Sequence, residues 1–316
     1  MKMLLLTSSI CLLSCLSIRA QQTYAIQDTT YKQAVEAALT ALKQGNCKTC
    51  LDQYKRAFNL SQKSALSTLR AAVCAYQCGQ SEQAHTYIQK ATVLDWWTCE
   101  DVCKNKTDYP EFDPLRTDPL RAIVRVEIDK QKIAIGRNLG LERELEQILY
   151  ADQYPRLRVD TIAKQYGYNS SVVQSINTEM RKADSINVIK IERILDKYGY
   201  PGKKLVGDKQ SITAWLVIQH APLALQEKYL PMMEAAAAIG ELDKSSLALL
   251  IDRIRIRKGK KQLYGSQVHI NSAGKPDRFE DIDDEANVNK RRLSMGLQPL
   301  EEYAKHWGIE YILPKQ

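Results

Sequence analysis

After Cys103 the chain contains no cysteine, and its 316 residues include four histidines. A cysteine nucleophile is therefore excluded from the C-terminal two thirds. A histidine-built metal centre there has little to draw on, because His220 and His269 are its plausible imidazole ligands and neither forms an H-x-x-x-H pair. No Gly-x-Ser-x-Gly elbow occurs, so the usual signature of a serine hydrolase is missing. Beyond residue 20 nothing is both long and apolar enough to span a bilayer, which takes roughly 20 apolar residues. Charge is not strongly one-sided either. The formal net value of +8 falls by two once Lys2 and Arg19 leave with an export signal, and the remaining basic residues are dispersed apart from two clusters. The charge reads as a solubility term, with no nucleic-acid partner, no cofactor and no metal expected.

What is present begins with the signal itself. Lys2 supplies a basic start, Leu4 to Ile18 a short apolar stretch, and Ser17-Ile18-Arg19-Ala20 a small-residue cleavage site before Gln21. Thr7, Ser8, Ser9 and Ser14 interrupt the stretch, which disfavours an uncleaved anchor. Leu12-Leu13-Ser14-Cys15 loosely matches a lipobox, so membrane attachment is expected only if Cys15 is lipidated. The mature chain is expected to be exported, periplasmic or at the cell surface.

Gly45, Cys50, Tyr54, Ala57 and Leu60 recur 34 positions later as Gly79, Ala84, Ile88, Ala91 and Leu94. Small matches small and bulky matches bulky, at the period of a helix pair that stacks on its copies. Helices are predicted near 31–44, 47–60, 64–78 and 81–94, with Gly45 and Gly79 as left-handed caps. Phe112-Asp113-Pro114-Leu115-Arg116-Thr117-Asp118-Pro119 reads as a closing element, so Asp95 to about Val126 becomes an atypical third unit and cap. This part resembles a tetratricopeptide repeat, and the resemblance implies a groove that binds a protein or peptide. A packing module is the plainer reading.

Six cysteines remain after cleavage, in the pairs Cys47/Cys50, Cys74/Cys78 and Cys99/Cys103. In an exported chain such a count favours disulfides. Parallel stacking of the repeats brings the end of the third helix to the start of the second, so bridges are predicted between the first two pairs, with Cys99 and Cys103 pairing locally. A four-cysteine zinc site is the rival, although only Cys47-x-x-Cys50 has knuckle spacing.

From Leu139 onward helical patterning resumes. Leu141, Leu145, Ile148 and Leu149 form one stripe, and Asp152 returns to the same face, so a carboxylate is aimed inward. Pro155 disfavours helical dihedrals at Tyr154, which predicts a helix end at Asp152-Gln153 with Arg156 nearby, followed by a helix near 160–193. Asp208 is a candidate N-cap for a helix to His220, whose stripe of Ile212, Trp215 and Leu216 ends in Gln219 and His220. A short helix is predicted over 231–239, then one capped by Asp243. On that last helix Asp252 and Arg253 are expected to be half-buried as an adjacent charge pair. Period-two patterning through Gln262, Tyr264, Ser266 and Val268, with turn residues at Asn271 to Pro276, predicts a small hairpin, and Gly265 within it implies a bulge or a close backbone approach.

The ordered set Asp152-Gln153, Gly199-Tyr200-Pro201, Trp215 through His220, Asp252-Arg253, Gln262 through Gln267, Arg291-Arg292 and Gly296 through Leu300 resembles a bacterial domain family of unknown function over about 139–305. The resemblance implies no activity.

The expectation is therefore a mainly α protein: residues 1–20 a signal peptide, 21–130 a tetratricopeptide-like solenoid, and 139–316 a helical domain with a small β-hairpin. Protein interaction in the cell envelope is the leading function. The alternative is a hydrolase or transferase with His220, Asp252 and Asp152 as catalytic candidates and Gln153, Arg156, Gln219, Arg253, Tyr264 and Gln267 as ligand-binding ones. In that reading His220 is a general base oriented by a carboxylate, and the arginine and amides hold an anionic or amide-bearing ligand. The competing reading makes His220 a satisfied core residue. The basic run from Arg253 to Lys261 reads as a solvated face opposite the acidic Glu280 to Glu285.

Overall fold

The computed structural model describes residues 29–271 and 275–314, so the signal, Cys15 and the centre of the hairpin turn lie outside the described residues. The protein is mainly α-helical with one small antiparallel hairpin, and it forms two compact units that divide between Gly136 and Arg137.

The N-terminal unit contains α1 (Thr29–Lys43), α2 (Cys47–Leu60), α3 (Ala65–Gln77), α4 (Ser81–Lys104), a 3₁₀ segment at Pro110–Arg116, and α5 (Leu120–Ala134). Each α-helix packs on the next in the chain. At Gly45 and Gly79 the backbone is left-handed, with φ of 72° and 73°. Both ends close in the same way: the amide of Asn46 reaches Ala41 O as that of Gln80 reaches Ala75 O, both at 2.9 Å. This double closure satisfies carbonyls that a helix end otherwise leaves open. The repeated pairs Cys50/Ala84, Tyr54/Ile88 and Ala57/Ala91 are all completely buried. Leu60 and Leu94, the last repeated pair, are both exposed.

Asp95 breaks α4 with φ −162° and ψ 88°, and its carboxylate accepts from the Thr98 amide at 3.0 Å and hydroxyl at 2.7 Å. The break is thus an N-cap, which starts a separate helical segment where the repeat pattern ends. Trp96 beyond it packs on the core, whereas Trp97 is exposed. The closing segment buries Phe112 and Leu115, and Arg116 donates to the carbonyls of Val102, Cys103, Asn105 and Tyr109. A cation that gathers carbonyls at the end of α4 is favoured by both hydrogen bonding and the helix dipole.

Bridges join Cys47 to Cys78 and Cys50 to Cys74, with Cα separations of 5.5 and 6.0 Å. They tie the start of α2 to the end of α3, as the parallel stacking predicts. Cys99 and Cys103, expected to pair, are instead free thiols. Residues four apart on a helix hold their Cβ atoms about 5–6 Å apart, and a disulfide needs about 3.5–4.5 Å, so the helix would have to distort.

The C-terminal unit begins with two long helices, α6 (Leu139–Tyr166) and α7 (Ser171–Tyr198). The predicted stop at Asp152-Gln153 does not occur: α6 runs through Pro155 and ends at Gly167, and Ser170 caps α7. Packing of Val159 and Ile162 against Ile176 and Met180 holds α6 helical past the proline, outweighing the roughly 3 kcal/mol that an interior proline costs. Next come α8 (Lys203–Ser211), α9 (Thr213–His220), α10 (Leu223–Ala238) and α11 (Lys244–Arg257). Helix α10 starts eight residues before the predicted 231 and likewise continues through Pro231. Every residue of α9 from Thr213 to Gln219 is buried, and α6, α7, α8, α10 and α11 all contact it. A helix sealed on all sides is a core element, not the one-faced stripe read from sequence.

The hairpin pairs β1 (Val268–Ile270) with β2 (Pro276–Phe279). It is shorter than the predicted strand, because residues 262–267 form a loop. Gly265 in that loop has φ 65°, and a Cβ there would lie 2.9 Å from a Leu300 methyl. The close approach implied by the glycine is therefore real. Helices α12 (Val288–Ser294) and α13 (Leu300–Trp307) complete the unit, with Phe279, Ile282, Val288 and Leu300 in a small core beside the hairpin.

Alkylation of the oxidised, unfolded protein should label Cys99 and Cys103 and spare Cys47, Cys50, Cys74 and Cys78, as read by mass spectrometry. Replacing Cys50 and Cys74 together by alanine should cost about 3 kcal/mol in urea unfolding. The N-terminal unit should also be acid-sensitive. Burial alone would raise the Glu100 carboxyl, but Lys132 and Lys104 outweigh it and hold it below the ordinary 4.5; Lys130 and His85 do the same for Glu127. Both groups stabilise the fold above 4.5, and that contribution drains as pH falls through the lowered values. Glu100→Gln should weaken this dependence while costing about 2 kcal/mol at neutral pH.

Candidate functional site

Helix α6 presents Leu141, Leu145, Ile148 and Asp152 on one buried face, and Asp152 is 1 % exposed. A carboxylate so enclosed requires partners. It has three. His220 Nδ1, at the end of α9, lies 3.3 Å from Asp152 Oδ1. Gln153 Nε2 donates to Oδ2 at 2.6 Å. Arg156 Nη1 is 3.3 Å from Oδ1 and donates to the Asp152 carbonyl at 2.5 Å. The other arm of Arg156 reaches Asp184 Oδ1 on α7 at 2.6 Å. Four of the sequence candidates, Asp152, Gln153, Arg156 and His220, thus converge where α6, α7 and α9 meet.

Asp184 is not among the residues singled out from sequence, where this stretch is predicted only as a helix near 160–193. Its signal was nevertheless the one that exposed Asp152: Met180, Asp184, Asn187 and Ile191 recur at helical spacing, placing polar groups on an apolar face. Asn187 is buried and its Nδ2 has no hydrogen-bond partner.

The chemistry follows from these positions. Asp152 orients the imidazole through Nδ1, and His220 Nε2 is sealed from solvent with no partner. A carboxylate-oriented imidazole with a free second nitrogen is the arrangement of a general base. Oxygen and nitrogen atoms of Asp152, Asp184 and His220 also lie within 4.8 Å of one another, close enough to ligate a cation. The Arg156 guanidinium bridges both carboxylates, so the set as it stands is an ion-pair network; a divalent ion would have to displace that arm.

The remaining candidates belong elsewhere. Asp252 is completely buried on α11, and its oxygens accept from the amides of Leu263, Tyr264 and Ser266 at 2.7–3.2 Å. Burial pushes its carboxyl up, and those amides pull it back. It is not the half-buried partner of Arg253 anticipated from sequence, because the loop amides claim its lone pairs. Gln262, another residue missed, accepts from the Gln267 amide at 2.8 Å and donates to the carbonyls of Gln267 and Glu280 at 2.9 and 2.7 Å. Buried Arg292 donates to the carbonyls of Gln298 and Tyr264, each at 2.6 Å, and stacks 4.9 Å from the Tyr303 ring. Gln267 donates to Ser266 Oγ at 3.1 Å within this network, and Tyr264 contributes backbone to it. Gln219 is buried beside His220, its carbonyl accepting from Gln226 Nε2 at 2.8 Å. The expected pairing of basic and acidic surface runs is met by Arg255 and Asp283 at 3.1 Å.

The chain belongs to a family of unknown function (DUF6624), whose model matches residues 140–313. Both networks lie within that span. No curated protein and no solved structure matches the chain.

The two carboxylates should respond differently to neutralisation. Asp252→Asn places amide hydrogens against backbone N–H groups and should cost about 3 kcal/mol in urea unfolding with an unchanged slope. Asp184→Asn, whose side chain is 29 % exposed, should change stability by less than about 1 kcal/mol.

Proposed function

We propose that this member of a family of unknown function is an exported, two-domain protein whose C-terminal domain performs proton-transfer chemistry of a hydrolytic or transfer type. His220 is the base and Asp152 its orienting carboxylate. The observation that supports this is the pairing of His220 Nδ1 with Asp152 Oδ1 at 3.3 Å, with Nε2 buried and unpartnered. Most buried polar atoms of a folded core have a partner, and this nitrogen has none. Arg156 and Asp184 fix the position of Asp152. Asp252, the other carboxylate considered for this role, is committed to backbone amides and serves as loop scaffold. With no cysteine or elbow serine at the site, an activated water or a substrate hydroxyl is the natural group to give its proton to the base and act as nucleophile.

A second role belongs to the N-terminal unit, which we read as a tetratricopeptide-like module for a protein or peptide partner. Leu60, Val93, Leu94 and Trp97 expose apolar surface near its repeat ends, and the two disulfides hold α2 and α3 rigid. Rigid surfaces lose little entropy on binding. The two disulfides, with no described helix long and apolar enough to cross a membrane, are compatible with export to the periplasm or cell surface.

A panel of chromogenic esters, amides, phosphoesters and glycosides should give at least one wild-type turnover. His220→Gln should lower it by roughly 10²–10⁴-fold while the melting temperature moves by no more than a few degrees. A variant that keeps full turnover, or that unfolds while Asp152→Asn remains folded and active, makes His220 structural.

A further inference from the structure

Among the described residues, the arginines drawn wholly or partly inside are mostly answered by protein groups, and the half-buried Arg253 is different. Arg116 has four carbonyls, Arg156 two carboxylates, and Arg292 two carbonyls and an aromatic face. Arg253 meets no carboxylate within ion-pair distance among the described residues, and its Nε, shut off from solvent, has no hydrogen-bond partner. Asp252 precedes it in sequence but is fully engaged by the 263–266 amides. The charge that does reach Arg253 is that of Arg257, one turn later on the same helix and itself exposed. Burial, with the Arg257 charge beside it, pulls the Arg253 guanidinium down to about 10, so it remains a cation at neutral pH. A guanidinium does not escape this position by losing its proton, as a lysine would.

Arg257 fixes where this face of α11 lies. Its Nη1 donates to the Ala221 carbonyl at 2.8 Å, directly after His220 at the end of α9. One arm of Arg257 is thereby spent on backbone, and burial lowers its guanidinium as well. Two like charges one helical turn apart repel, and neither guanidinium has a carboxylate at ion-pair distance among the described residues.

We propose that Arg253 and Arg257 form an oxyanion-binding site for a small molecule bearing a carboxylate or phosphate group. The planar fork of Arg253 suits two oxygens of one such group, and Arg257 adds a second charge from one turn away. The site stands independently of His220 as a base.

The test uses the full mature, oxidised protein in chloride at constant ionic strength, titrated with inorganic phosphate and, separately, with succinate. The wild type should show a saturable rise in melting temperature with at least one of them. Arg253→Met should lose that response, and should melt no lower than the wild type without added anion, because an apolar chain of similar length removes a half-buried charge that has no carboxylate partner. His220→Gln should respond like the wild type, which separates this proposal from the catalytic one. Vesicles of phosphatidylglycerol should not bind through Arg253; binding that Arg253→Met abolishes, with no response to the free anions, would assign a lipid surface and overturn the small-molecule site. No wild-type response to either anion, or an equal response from Arg253→Met, also overturns it. Should Arg253→Met fail to fold, the Nε nitrogen resonance of Arg253 in the wild type decides: it should shift on addition of the stabilising anion, and a resonance that stays fixed overturns the proposal.

Discussion

The C-terminal unit depends on the burial of one short helix. Helix α9 is eight residues long and sealed from Thr213 to Gln219. A helix of that length is not stable by itself in water, so its existence is a consequence of the five helices packed around it. Trp215, Leu216, Val217 and Ile218 supply the apolar contact, worth roughly 1.5–3 kcal/mol for each large side chain fully removed from water. That gain carries the polar groups of the same helix into the interior. His220 reaches Asp152 because the C-terminal end of α9 is held where α6 and α7 pass, and Arg257 reaches Ala221 because α11 packs on the same end.

A second constraint governs the region after α11. Residues 262–267 lack regular pairing, and a loop brought into the interior must place each amide and carbonyl with a partner. Asp252, Arg291 and Arg292 do this from outside the loop and Gln262 from its first position: Asp252 accepts, Arg291 and Arg292 donate to Leu263 O and Tyr264 O, and Gln262 bridges to Glu280. Hydrogen bonds to charged groups contribute about 1.5–3 kcal/mol each, and several such bonds offset part of the cost of burying the Asp252 carboxylate, whose pKa stays raised. The tight sequence Tyr264-Gly265-Ser266 follows from this arrangement. Its glycine is needed because backbone and the Leu300 methyls meet there.

How far the sequence spoke depended on whether the signal was local. The 34-residue spacing located α1 to α4 closely, since Gly45 and Gly79 are stop signals with their own geometry. The same spacing placed Cys47 and Cys50 beside Cys74 and Cys78, because stacking repeats leaves little choice of neighbour. Prolines misled in the other unit. Pro155 and Pro231 sit inside α6 and α10, where packing between long helices overrides a local preference. The inward aim of Asp152 was legible from its stripe; its partner Asp184 obeyed the same rule on a helix whose limits were misplaced. The separation of Asp252 from His220 could not be read at all, because both are polar residues on buried faces and only the tertiary fold shows which has its lone pairs occupied.

That occupancy distinguishes scaffold from site. The buried polar groups around the 262–267 loop are satisfied by the chain itself. Unpartnered atoms also occur at Tyr54, Asn177 and Trp307, but most lie on the helices around α9: Asn187 on α7, Thr213, Trp215, Gln219 and His220 on α9, Gln226 on α10, and Arg253 on α11. Scattered single exceptions occur in any protein, and ordered water answers many of them. A concentration on neighbouring helices is different in kind. Each such group costs about 1–3 kcal/mol if nothing meets it, and a fold that satisfies Asp252 and Arg292 in full has no general difficulty in supplying partners. Several such atoms around one helix support the proton-transfer site proposed for His220. Acceptors from Gln219 and Gln226, donors from Asn187, Trp215 and Arg253, and an imidazole nitrogen make its surroundings polar, which suits a polar substrate for the proposed base rather than an apolar one.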